Sequence, residues 1–203
     1  MEGFEACLDA DGKLLPAYAD WLEFMRSLRL ARGLSLVTSD RRIADAKLTS
    51  RSLTLVGLST ADWQTDWKAR GIDFDERVVT AIHRAYGGHP KAMRIVGNDI
   101  VERFERHANL FWQWRSRALL FDPQLRHLYL EPLQTLHEEM GVSFQALARA
   151  LLQASANGET CADRALERLE RRFLVQPHLG TYHTTPVILE AIAWLTQSGS
   201  APQ

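Results

Sequence analysis

The sequence predicts a mainly α chain that ends in a winged-helix arrangement. Apolar residues recur at three- and four-residue spacing over most of its length, the mark of amphipathic helices. Proline, glycine and Ser/Asp caps cut that pattern into short segments. Near the C-terminus three helical stretches precede two short apolar runs around Pro177-His178-Leu179-Gly180 and one last helix. Helix, helix, helix, two-stranded wing, helix is a winged-helix order.

Taken in order, Leu15, Tyr18, Leu22, Met25 and Leu28 predict a first helix that stops at Gly33. Leu34–Val37 is too short for a helix and predicts a buried strand ending in Thr38-Ser39-Asp40. Ser52–Val56 predicts a second strand, closed by Gly57. Ser59-Thr60-Ala61-Asp62 fits a capping box for a helix with Trp63 and Trp67 on one face and Gly71 as its stop. Asp75 suits the N-cap of a helix carrying Val78, Val79, Ile82 and Tyr86, which Gly87-Gly88 breaks. Pro90 then opens a helix carrying Met93, Val96, Ile100 and Phe104, because its missing N–H costs nothing in a first turn. Residues 108–121, with Phe111, Trp112, Trp114 and Phe121, are expected to be the seam between two units. Helices are expected over 123–139, 143–155 and 160–172, capped by Asp122, Ser143 and Thr160. Strands at 173–176 and 181–184 form the wing, and a helix over about 186–196 closes the chain before a frayed SGSAPQ tail.

The chain has 203 residues, 46% hydrophobic and 24% charged, ordinary for a globular protein able to bury a core without staples. No apolar run approaches the ~18 residues of a membrane span. The acidic start, MEGFEACLDADGK, does not read as a secretory signal. Lys+Arg at 24 against Asp+Glu at 25 leaves a net charge of -1, with no general pull toward nucleic acid or anionic membrane. Cys7 and Cys161 lie far apart and read as reduced thiols of a cytoplasmic protein.

No catalytic constellation stands out. The seven histidines make no HExxH or Cys/His metal spacing, and there is no GxSxG and no GxxxxGK[ST]. Arg164, Arg168, Arg171 and Arg172 recur along the stretch before the wing, where a DNA reader would sit. Asp163, Glu167 and Glu170 interleave with them, which fits a solvated, salt-bridged face better than a phosphate contact.

The most informative stretch is Ala85-Tyr86-Gly87-Gly88-His89-Pro90-Lys91-Ala92. Leu55-Val56-Gly57-Leu58-Ser59 and Asp62-Trp63 precede it, and before those comes the run ending in Thr38-Ser39. Leu166–Val175 and Pro186-Val187-Ile188-Leu189-Glu190 follow far downstream. In this order the landmarks resemble the STAND class of P-loop NTPases, in particular bacterial NB-ARC-like modules, over about residues 1–196. The resemblance implies three parts. Residues 1–58 would be the truncated C-terminal part of a nucleotide-binding α/β core, with Met1–Glu5 as the end of a Walker B strand. Residues 59–110 would be a helical lid, and 111–203 the winged-helix domain.

It also implies an ADP or ATP site. Gly87, Gly88 and Pro90 would form the nucleotide-facing turn, with Pro90 against adenine. Thr38 and Ser39 would end the sensor strand near the γ-phosphate. The family's sensor arginine position holds Asp40, so Arg41 is the candidate there, with Arg42 beside it. A histidine sensing the β-phosphate is expected directly before Pro186. That position is Thr185, and His183 is the candidate substitute, since alternate strand residues share a face. Without a P-loop the chain alone is not expected to hydrolyse ATP.

The expected function is therefore the regulatory portion of a nucleotide-dependent signalling switch, working with a protein partner or as an oligomer. The alternative is a protein-interaction module to which nucleotide is irrelevant, with Trp112, Trp114 and Phe121 as its contact surface.

Overall fold

Caps and breakers decide where this chain starts and stops its helices. In the computed structural model the described residues are 4–9, 12–30, 39, 43, 55, 57–157, 169–170, 174–178 and 181–198. They are mainly α-helical. The predicted strands at 34–37 and 52–56 lie outside the described residues, except Leu55, which has no regular structure. The chain divides into two compact units, Met1–Leu53 with Ala162–Tyr182, and Thr54–Cys161 with His183–Gln203.

In the first unit Phe4–Cys7 is a 3₁₀ turn, not the end of a strand. An antiparallel bridge pairs Leu8 with Leu14, and Asp9 N–H donates to the Lys13 carbonyl at 2.8 Å. Helix α1, Ala19–Leu30, follows a single 3₁₀ turn opened by Pro16, as the spacing predicted. Two three-residue strands pair near the C-terminus, shorter than the runs expected at 173–176 and 181–184 and the first shifted: β1 is Gln176–His178, and β2 is Thr181–His183, whose last residue falls in the second unit. Of the helix expected at 160–172, only Leu169 and Glu170 are described, and both are helical.

The second unit is built from α2 (Thr60–Ala69), α3 (Glu76–Tyr86), α4 (Pro90–Arg103), α5 (Ala108–Arg115), α6 (Pro123–Met140), α7 (Val142–Asn157) and α8 (Pro186–Ser198). Ser59 and Asp62 form the predicted capping box at α2. The Asp75 and Asp122 carboxylates cap α3 and α6 by accepting from Arg77 N–H and Gln124 N–H, at 2.8 and 2.7 Å. Ser143 is no cap: α7 begins at Val142, because Gly141 turns the chain there with a φ of 53°. Pro132 sits inside α6.

α3 packs on α2, α4, α5 and α8, and α6, α7 and α8 pack on one another. The core follows the predicted apolar faces. Trp63 and Trp67 are fully buried, as are Val79, Ile82, Val96, Ile100, Phe111, Leu125 and Leu133. Burial of such side chains is worth roughly 1.5–3 kcal/mol each and supplies the main drive to fold. The boundary drawn at 110/111 falls inside α5. The aromatic stretch 108–121 splits by direction. Phe111 packs edge-on against Phe104 and Phe121 at 5.5 and 5.6 Å, whereas Trp114 is 76% exposed.

Candidate functional site

The site is the turn between α3 and α4. Gly87 ends α3 in the left-handed conformation, at φ 65° and ψ 26°, and Gly88 follows at φ 71°. Both conformations favour glycine, which has no Cβ to clash. Gly87 and Gly88 both donate their N–H to the His83 carbonyl, closing the helix end.

Three segments meet here. Leu58 N–H donates to the Gly88 carbonyl at 2.8 Å. His83 Nε2 lies 2.6 Å from the Leu58 carbonyl oxygen, so that ring nitrogen carries the proton and donates. The His83 ring stands edge-on to Trp63, 5.6 Å between centroids. A Cβ on Gly57 would lie 2.5 Å from the Gly87 oxygen, and one on Gly88 would strike the Leu58 oxygen. The third segment comes from α8. A Cβ on Gly87 would lie 2.8 Å from Thr185 Cγ2, and Thr185 is the residue directly before Pro186. Its hydroxyl is buried with no hydrogen-bond partner among the described residues.

His89 caps α4. Its Nδ1 accepts from Lys91 N–H at 3.1 Å, which fixes the neutral ring with its proton on Nε2. Burial, and then the Lys91 charge, hold the His89 pKa below the ordinary histidine value. The ring also meets Tyr129 edge-on at 6.0 Å. Tyr129 donates its hydroxyl to the Tyr86 carbonyl at 3.0 Å, and Tyr86 donates its own to the Leu119 carbonyl at 2.9 Å. Burial pushes both phenol pKa values up, so both hydroxyls stay protonated. The Glu190 carboxylate accepts from Leu119 N–H at 2.8 Å and Leu120 N–H at 3.0 Å. Arg126 Nε donates to the Leu120 carbonyl at 2.8 Å. The α5–α6 connection is thereby fastened behind the turn, to α3, α6 and α8.

Of the residues expected at a site, the structure brings Gly87 and Gly88 into the junction and sets Pro90, exposed, at the first position of α4. Thr38 and Arg41 lie outside the described residues. His183 ends β2, and it is Thr185 that meets Gly87. His83 and Tyr129 are not singled out by the sequence, and Leu58 and His89 enter it only as parts of landmark stretches, with no role of their own. His89 was readable, because the residue before a helix-opening proline is the N-cap. His83 and Tyr129 act across 25 and 43 residues of chain and leave no local signal. Among the described residues no cluster of His, Cys, Asp or Glu could hold a metal ion. No helix among them is long and apolar enough to cross a membrane. Comparison with protein-family models, with curated proteins and with solved structures gives no match for this chain.

Proposed function

We propose that this chain is the regulatory portion of a STAND-type nucleotide-dependent switch, cytoplasmic, and not catalytic by itself. In this reading it carries the remnant of a P-loop core, a helical lid and a winged-helix domain. One observation carries it. The Gly87-Gly88 turn, the Leu58 segment and the residue directly before Pro186 come from distant parts of the chain and meet at one junction. These are three of the landmarks on which the resemblance rests. ADP or ATP would lie along the turn at Pro90, and Thr185 would take the place of the histidine. A partner chain or second copy would be the target of the motion.

Thermal melting with ADP and with ATP·Mg tests the reading. Binding to the native state raises stability by about 2.7 kcal/mol at a hundredfold excess over Kd. A rise in melting temperature that Pro90→Ala weakens is the expected result. No shift at millimolar nucleotide overturns it. The chain alone is expected to turn over no ATP, since nothing in its sequence replaces a P-loop.

The second reading, a protein-interaction module independent of nucleotide, is favoured by α5. Leu110 and Trp114, one helical turn apart, are 44% and 76% exposed. Nucleotide would then leave melting unchanged, whereas Trp114→Ala would weaken partner capture.

A further inference from the structure

His89 occupies an unusual place for a titratable group. It caps α4 through a ring nitrogen that must be unprotonated to accept, and it directly follows Gly88, whose carbonyl holds Leu58. We propose that His89 is an acid-sensitive latch: protonation of its Nδ1 releases the first turn of α4 and loosens the junction of Gly88 with the Leu58 segment. The inference stands on this geometry whether or not nucleotide binds there.

Protonated Nδ1 is itself a donor and faces the Lys91 N–H, another donor. The cap on Lys91 N–H is then lost, while the Met93 N–H bond to the His89 carbonyl does not depend on the ring. The new charge would also sit at the positive end of a 14-residue helix.

Apart from a hydrogen bond with its own backbone, which favours the cation, the groups that face His89 give it no help. On its own helix the charge it feels is Lys91, of the same sign. From α6 it meets the neutral Tyr129. From α3, Tyr86 accepts the His89 N–H through its carbonyl, at 3.4 Å, and His83 is committed to Leu58. Along the Leu58 segment the next carboxylate is Asp62, held by the Ser59 N–H and hydroxyl, each at 2.7 Å. α5 meets α4 at its other end, through Arg115 and Asp99. Sign follows from linkage. A histidine whose folded pKa lies below its unfolded value, about 6.5, adds stability that is complete above that value. The contribution is lost as pH falls through the folded pKa.

Proton NMR of the full chain between pH 8 and pH 5 tests the latch. The His89 ring resonance should titrate below the ordinary histidine range, with the Lys91 and Leu58 amides moving in step. Their protection from exchange, corrected for intrinsic rates, should fall about fivefold, the usual cost of one N-cap. His89→Asn keeps an acceptor that does not titrate, so the step should vanish and protection persist at pH 5. His89→Ala should be unprotected at every pH. The idea is overturned if both amides stay still while His89 titrates, or if the step survives in His89→Asn. His89→Asn keeps the test decisive if His89→Ala does not fold.

Discussion

Gly88 and Gly71 share a left-handed backbone, at φ 71° and 67°, but not the same surroundings. A Cβ on Gly71 would meet only the end of the flexible Arg106 side chain, at 3.5 Å. Gly71→Ala should therefore cost about 1–2 kcal/mol, the strain of that conformation alone. Gly88→Ala adds a clash with the Leu58 carbonyl and threatens the Leu58–Gly88 hydrogen bond, so it should cost at least twice as much in urea titrations. Equal costs would mean that the junction yields freely. Asp99 gives a prediction of a different kind. It is 8% exposed, with Arg103 and Arg115 at 3.3 and 3.5 Å, yet burial outweighs both guanidiniums and raises its pKa. A carboxyl with a raised folded pKa contributes most below its unfolded value, about 4, and loses that contribution as pH rises through the folded one. Relative to Asp99→Asn, the wild type should be less favoured at pH 7 than at pH 4. The opposite trend would show that the two arginines outweigh burial.

Glu190 shows how an element is held rather than formed. Its carboxylate accepts two backbone N–H groups, so α8 fixes the connection between α5 and α6. Glu190→Ala leaves both donors without that acceptor and should cost about 2–3 kcal/mol in chemical denaturation. Glu190→Gln, which keeps one acceptor oxygen, should cost less. Element existence was legible in the sequence wherever caps and breakers agreed: Ser59 with Asp62, Asp75, Pro90, Asp122 and Pro186 all mark helix starts. Ser143 misled because a polar residue in a first turn resembles a cap, and only the Gly141 backbone reveals the true start. The direction of residues 108–121 was not legible. Phe111 and Trp114 are both aromatic, and three positions on one helix turn one inward and the other out.

At the scale of the molecule, the even charge balance predicts a protein with little attraction for polyanions. Duplex DNA should show no retention at 0.15 M salt, and a salt-dependent affinity would revive the DNA-reading interpretation of the Arg164–Arg172 stretch. Part of the junction was legible: the Gly87-Gly88 turn and the Leu58 segment stand among the sequence's landmarks, and the position before Pro186 draws notice through the resemblance alone. Their meeting was not, because Leu58, Gly88 and Thr185 are joined by tertiary contacts that carry no period and no spacing. Thr185 stands where the family that the sequence resembles would have a histidine, and its methyl is the group that lies against the turn.

Gly57 and Gly88 let backbone approach backbone, so much of this contact is written in peptide groups that every amino acid shares. Such a joint has few intermediate settings. Swapping a side chain elsewhere adjusts a surface by degrees, but here the main chains either fit or are pushed apart. A substitution at Thr185 or His83 would then tune the strength of the contact, whereas Gly57 and Gly88 leave no room for a side chain.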